Sequence, residues 1–186
     1  EAYTSALKKN PMSDLLAREA LRLLAANLDE AVHKGSNREA RQAMLLGACL
    51  AGQAFANAPV AAVHALAYPL GGNFHIPHGL SNALVLPQVL RFNVSAATTH
   101  YGELAPIILG DRLRTDDPST YAEQLIEEFE QMSARVGLPT RLRDAGVPEE
   151  MLPQLAKEAM LQQRLLVNNP REVTEADALA IYQAAY

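Results

Sequence analysis

Apolar residues recur at helical spacing along most of this chain, and no stretch shows the strict two-residue alternation of a strand. One apolar stripe recurs every three or four residues, at Leu21, Leu24, Leu28 and Val32. Such a stripe is typical of an amphipathic helix that packs one face on a core. The hydrophobic pattern therefore predicts an all-α fold.

Polar caps and chain breaks divide this pattern into separate helices. The stretch from Ser36 to Glu39 has the sequence of a capping box, and a similar box begins at Thr174, so each is expected to start a helix. Another helix is expected over residues 149–166, after a Gly-Val-Pro break. A helix is also expected from Leu80 to Phe92, with Pro87 bending or interrupting it.

The centre of the chain, from Ala43 to Leu90, contains no Asp, Glu, Lys or Arg. Its first helix presents small residues, among them Gly47 and Gly52, which permit close approach of another helix. An uncharged helix of this kind is expected at the buried centre of a bundle, with Cys49 as a buried thiol. On this interpretation Gly52→Leu would be severely destabilising, because it would overpack the contact.

The composition supports one helical domain and excludes some classes of partner. We predict a single domain over residues 1–186, a length that allows a substantial core. The net charge of −5 includes no basic cluster for nucleic acid, and the charge-free centre is too interrupted for a membrane span. A lone cysteine and no signal-peptide pattern favour the cytoplasm. A group of acidic residues is interpreted as a solvated helix face without a catalytic role: Glu123, Glu127, Glu128 and Glu130.

Three of the five histidines lie within one stretch of the charge-free centre, HALAYPLGGNFHIPHG. Neutral imidazole is the commonest metal ligand in proteins. His64 falls in a helical pattern, whereas His78 follows a Gly-Gly break and a proline, so the chain can turn back and bring both rings to one point. Tyr68 lies one helical turn after His64 and on the same face. Taken singly, each histidine is also compatible with a hydrogen-bonded structural role.

This stretch resembles the second signature of the iron-containing (group III) alcohol dehydrogenases. The residues that carry the resemblance are His64, Tyr68, Gly71, Gly72, Pro77, His78 and Gly79. The segments NALVLPQVLRFN, VGLPTRLRDAGV and NNPREVTEADALAIYQAAY look like the same family, so the resemblance covers nearly the whole chain. It implies a helical bundle of the dehydroquinate synthase-like C-terminal type, with His64 and His78 as metal ligands.

The resemblance also implies an activity and its cofactors. Members of this family interconvert an alcohol and an aldehyde or ketone by hydride transfer, with Fe²⁺ or Zn²⁺ as a Lewis acid and NAD or NADP as the hydride carrier. Tyr68 would then be a catalytic proton relay and a cofactor contact, although many members have a histidine there. His75 would face the nicotinamide or the substrate, or else it is a loop histidine that faces solvent. Ser81 and Asn82 are candidates to orient His78 by hydrogen bonds, or else they are simple helix caps.

The first residues, EAYTS, look like the end of the family's first metal motif, in which an Asp and a His precede Glu-Ala-Tyr. On this resemblance the chain lacks those two ligands. It also lacks an N-terminal nucleotide-binding domain, which would be the partner of this helical domain. A homodimer is left open. Two ligands do not complete a catalytic metal site, so by itself the chain is expected to be inactive. The alternatives are a non-catalytic helical binding or assembly domain, or a relative such as maleylacetate reductase, glycerol dehydrogenase or dehydroquinate synthase.

Overall fold

A computed structural model describes all 186 residues, and every regular element in it is helical. The prediction of an all-α fold is therefore confirmed. The α-helices are α1 (Pro11–His33), α2 (Arg38–Asn57), α3 (Ala62–Phe74), α4 (His78–Leu109), α5 (Tyr121–Arg135), α6 (Leu152–Ala159), α7 (Gln163–Leu166) and α8 (Glu175–Ala185). Single turns of 3-10 helix lie at Ala2–Thr4, Gly110–Arg112, Pro118–Thr120, Arg143–Ala145 and Glu149–Met151.

Helices α1 and α2 form a hairpin whose two starts are both capped by asparagine. The side chain of Asn10 accepts a hydrogen bond from the Ser13 backbone N–H at 3.0 Å, and the Ser13 hydroxyl oxygen accepts one from the Asn10 N–H at 3.1 Å. Asn37 caps α2 by accepting the Ala40 N–H at 3.1 Å. The predicted helix start near Ser36 is therefore confirmed, with the next residue as the cap.

The long helix α4 joins two hydrophobic clusters. Its first half packs with α3, α6 and α8, and its second half packs with α1, α5 and the N-terminal segment. Pro87 was predicted to bend or interrupt the helix, and an interruption is wrong, because this proline is buried within a continuous helix. Pro87 has no backbone N–H, so the helix lacks one hydrogen bond there, and the packing on either side offsets that loss. Between the clusters, Asn93 and Asn169 exchange two buried amide hydrogen bonds of 2.9 and 2.8 Å.

Helix α2 lies on the outside of the bundle, so the prediction that it forms the buried centre is wrong. It packs mainly on α1, and α3 instead lies at the buried centre. The outer face of α2 exposes Leu45, Leu46, Cys49 and Phe55. No single helix has the length and hydropathy to cross a membrane, and α2 and α3 meet that criterion only as a pair bent by 109°.

The close contact between α1 and α2 lies at Gly47 and not at Gly52. A Cβ atom on Gly47 would lie 2.9 Å from Leu24 Cγ, whereas Gly52 has no neighbouring atom within 4 Å. We expect Gly47→Leu to lower the free energy of unfolding by about 1–3 kcal/mol, because it overpacks the helix contact. Gly52→Leu is the matched control, and it should be neutral or stabilising because leucine favours helix more than glycine. Urea denaturation measures both, and equal losses would contradict this assignment.

Glu128 is buried, so the prediction that it belongs to a solvated face is wrong. Its side chain is 4% exposed, and Oε1 accepts hydrogen bonds or ion-pair contacts from Arg135 at 2.7 Å and Arg112 at 3.2 Å. A buried carboxylate is tolerated when cations neutralise it, which these two arginines do. Glu130 also forms an ion pair, with Arg91 of α4.

The C-terminal region contains one predicted helix start and one unexpected break. The Thr174 capping box is confirmed, since its hydroxyl accepts the Asp177 N–H at 3.2 Å and Asp177 accepts the Thr174 N–H at 3.0 Å. The helix predicted over 149–166 is divided, because the backbone leaves the helical region at Gln162, where ψ is 45°. Helix α8 then places Tyr182 against α3, the helix that carries His64.

Candidate metal site

The first two turns of α3 and the start of α4 bring together three of the predicted site residues. His64 and Tyr68 lie one turn apart on α3, and α4 begins at His78. The ring centroids of the two histidines are 5.2 Å apart, and the Tyr68 centroid is 6.5 Å from His64 and 6.0 Å from His78. The prediction that the chain turns back and brings both imidazoles to one point is therefore confirmed. Tyr68 shares that point, as its helical spacing predicted.

The Nε2 atoms of both histidines face the amide of Asn82. Asn82 Nδ2 lies 3.1 Å from His78 Nε2 and 3.5 Å from His64 Nε2. An NH₂ group can donate to an Nε2 atom that carries a lone pair, which is the form in which imidazole binds a metal. Asn82 thus contacts the ligand side of the rings, and its own Oδ1 is buried without a partner. Ser81 makes no hydrogen bond to His78, since its hydroxyl donates to the Ile76 carbonyl at 3.2 Å.

Glu1 holds His64 from the opposite side of the ring. His64 Nδ1–H donates to Glu1 Oε2 at 2.5 Å, and the Val63 N–H donates to Glu1 Oε1 at 2.6 Å. Sequence reasoning missed this contact, because the partners are 63 positions apart.

The other three histidines lie apart from the His64–His78 pair. His75 caps the C-terminal end of α3 in a left-handed conformation, with φ 55° and ψ 26°, and its exposed ring makes no hydrogen bond or ring contact. His33 Nε2 lies 3.1 Å from the Arg135 carbonyl oxygen. His100 packs edge-on against Tyr3 at 5.9 Å. None of these three rings approaches the point where the two Nε2 atoms converge.

The two imidazole nitrogens are of a type that binds divalent transition metals, but two ligands are too few for a catalytic site. Imidazole nitrogen is a good ligand for both Fe²⁺ and Zn²⁺. No group of three or more His, Cys, Asp or Glu side chains is placed to hold a metal, whereas a catalytic zinc site has three protein ligands. The two imidazoles lie at the surface, beside a Tyr68 side chain that is 37% exposed. This face can therefore receive further ligands from outside the chain.

A surface cavity lies away from these rings. It has a volume of about 540 Å³ and is bounded by α4, α5 and the C-terminal residues. Its titratable lining residues are Glu130, Arg141 and Tyr186, and it contains no histidine or cysteine. The convergence of two imidazole Nε2 atoms is a more specific chemical feature than this open cavity, so we place the candidate site at the rings.

Comparison with known proteins identifies the family. All of residues 1–186 match the model described as Fe-containing alcohol dehydrogenase family, C-terminal. Long-chain-alcohol dehydrogenase 1 of Geobacillus thermodenitrificans (strain NG80-2) is 44% identical over 187 residues, which cover 100% of this chain and 47% of that protein. The chain therefore spans about half the length of the curated relatives it matches.

Solved structures share the fold over the whole chain. A crystal structure of 1,3-propanediol oxidoreductase superposes with a TM-score of 0.93 at 39% identity, covering 100% of this chain and 48% of the other. Sulfoacetaldehyde reductase from Bifidobacterium kashiwanohense, solved in complex with NAD⁺, gives a TM-score of 0.82 at 28% identity and covers 100% and 46%. The helical bundle implied by the resemblance is thereby confirmed. The chain belongs to the Fe-containing alcohol dehydrogenase family.

Proposed function

We propose that this chain is the helical, metal-carrying part of an NAD(P)-linked alcohol dehydrogenase, and that His64 and His78 are metal ligands. The observation that carries the proposal is the convergence of their two Nε2 atoms on one point, 3.5 and 3.1 Å from the same amide nitrogen. Membership of an iron-containing family of alcohol dehydrogenases supports the metal. The NAD⁺ complex of sulfoacetaldehyde reductase supports the nicotinamide cofactor.

Each side chain has a role that follows from its position. His64 and His78 supply neutral imidazole nitrogens, and when bound, Fe²⁺ or Zn²⁺ supplies a Lewis acid that polarises the C–O bond while nicotinamide carries the hydride. The Tyr68 phenol lies beside both rings and relays the proton of the alcohol. His75, exposed at the end of α3, contacts the nicotinamide or the substrate.

The partners of the site lie outside the chain. Because the chain spans 47% of the length of its relatives, we propose that residues 1–186 form one helical domain and that an N-terminal nucleotide-binding domain covers the exposed rings. An Asp and a His from the segment before Glu1 would complete the ligand set. The names of the relatives favour a long-chain alcohol or 1,3-propanediol as substrate. A cytoplasmic location stays a prediction, and a homodimer stays open.

The proposal is tested with the whole protein. We expect elemental analysis to find a transition metal, and we expect reduction of NAD⁺ or NADP⁺ with long-chain alcohols or 1,3-propanediol. A chelator should remove both metal and activity, and Fe²⁺ or Zn²⁺ should restore them. A whole protein with neither metal nor nicotinamide-dependent activity would instead favour a non-catalytic helical binding or assembly domain.

Tyr68→Phe tests the proton relay separately from metal binding. The variant keeps the ring but loses the hydroxyl, which makes no hydrogen bond within the chain. We expect turnover of the whole protein to fall by ~10²–10⁴-fold, the typical contribution of general acid–base catalysis, while the metal content stays unchanged. Tyr121→Phe on α5 is the matched control and should retain full turnover. Unchanged turnover in Tyr68→Phe would show that the phenol only packs.

A further inference from the structure

We infer that Glu1 is a positioning residue that fixes the tautomer and orientation of the His64 ring, so that Nε2 is the nitrogen offered to the metal. The inference rests on the proposed function of His64 as a ligand. Glu1 touches only the far side of that ring, through Nδ1, so it acts on the metal through His64. A carboxylate behind a ligand histidine raises the basicity of the ligand nitrogen and sets its direction.

The Glu1 carboxylate is itself held in place by α3. Its side chain is 13% exposed, and Oε1 accepts the Val63 N–H at 2.6 Å. The residue at the N-cap position of α3, Ala61, has no side chain that can cap the helix. Glu1 therefore caps α3 from a distant part of the sequence, where the helix dipole favours a negative charge. The same carboxylate thus fixes the helix start and the histidine beside it.

The segment that carries Glu1 is anchored to the rest of the bundle. The 3-10 turn Ala2–Thr4 follows it directly, and Tyr3 in that turn is buried. The Tyr3 hydroxyl donates to Glu103 of α4 at 2.5 Å, and the Ala6 N–H donates to the Asn168 carbonyl at 2.8 Å. Glu1 is consequently a fixed support for the ring and not a mobile chain end that happens to lie near it.

Contacts on the two sides of the His64 ring require the same tautomer. A carboxylate only accepts hydrogen bonds, so His64 Nδ1 must carry the proton that it shares with Glu1. In the neutral ring the other nitrogen, Nε2, then has a free lone pair, and Asn82 Nδ2 lies 3.5 Å from it. His78 differs, because its only hydrogen bond is the one from Asn82 to Nε2 and its side chain is exposed. His64 is therefore the preorganised ligand of the pair, and His78 is the adjustable one.

Glutamate suits this position because it must accept two hydrogen bonds at once. Each carboxylate oxygen takes one donor, the Val63 N–H or the His64 N–H. Glutamine has the same shape but has only one acceptor oxygen, so its NH₂ group would face one of these two donors. Glu1→Gln therefore removes the support of the tautomer with little change in side-chain volume.

The test compares the tautomer and the metal affinity of Glu1→Gln and wild type in the whole protein. Histidine ¹⁵N NMR of the metal-free protein at about pH 8.5, where imidazole is neutral, reports which nitrogen of His64 carries the proton. We expect His64 to lose its preference for Nδ1–H in the variant. Competition with a chelator should show a Zn²⁺ affinity about 10–100-fold lower, the usual effect of removing a group that orients a ligand. Circular dichroism monitors the helix content.

Two further variants make the result specific. Glu103→Gln replaces the carboxylate that accepts the Tyr3 hydroxyl with a neutral amide, and it should change neither the tautomer nor the Zn²⁺ affinity. Glu1→Asp keeps an acceptor-only carboxylate, shorter by one methylene, and should lie between wild type and Glu1→Gln. Retention of the wild-type tautomer and affinity in Glu1→Gln would overturn the inference. Absence of Zn²⁺ binding in wild type would contradict the proposed function, and the tautomer of the metal-free protein would still decide the role of Glu1.

Discussion

Tyr182→Ala is expected to lower the free energy of unfolding by about 3–5 kcal/mol, the usual cost of removing a large buried aromatic side chain. Tyr182 is 0% exposed and lies between α8 and α3. Its hydroxyl donates to the Leu66 carbonyl at 2.6 Å, and burial raises the pKa of this phenol, so it stays a neutral donor. Urea denaturation followed by circular dichroism measures the loss.

Tyr182→Phe separates the two contributions of this side chain. It keeps the ring and removes only the hydroxyl, so we expect a loss of about 0.5–1.5 kcal/mol, the usual net value of one hydrogen bond. If Phe and Ala cost the same, the hydrogen bond and not the ring packing would stabilise the contact. Leu66 lies between His64 and Tyr68 on α3. The same contact therefore supports the helix that carries the candidate site.

The parts of the site that the sequence predicted correctly depend on local spacing. Tyr68 follows His64 by one helical turn, so the two side chains must share a face of α3. Helix α3 continues through Gly71 and Gly72 to Phe74, so the predicted Gly-Gly break is wrong, whereas Pro77 indicated the turn before His78 by residue type alone. These constraints act over fewer than about five residues each, and propensity and capping are reliable at that range.

Features that depend on distant neighbours could not be predicted in this way. Gly47 and Gly52 belong to the same surface of small residues, and only the position of Leu24 on α1 decides which one is in close contact. Helix α2 has an uncharged outer face, and composition cannot say whether another helix covers it. The burial of Glu128 depends on Arg112, which lies on a different element. The link from Glu1 to α3 likewise has no local signal.

His64→Ala and His78→Ala should each remove most of the metal from the whole protein and abolish its nicotinamide-dependent activity. Each change deletes one imidazole whose Nε2 faces the shared point beside Asn82. The loss of a ligand should exceed the ~10–100-fold fall in affinity that follows removal of a group that only orients a ligand. Elemental analysis of the purified variants, together with the alcohol-dependent reduction of NAD⁺ or NADP⁺, measures both effects.

His33→Ala is the matched control, because this exposed ring contacts only the Arg135 carbonyl and should leave metal and activity unchanged.

His75→Ala separates the cofactor role from ligation, since we expect it to keep the metal and raise the KM for the nicotinamide cofactor or the substrate. Since His64 is held by Glu1 and His78 is not, we expect the Zn²⁺ affinity of Glu1→Gln to lie between wild type and His64→Ala. Wild-type metal content in either His64→Ala or His78→Ala would show that the ring concerned is not an essential ligand.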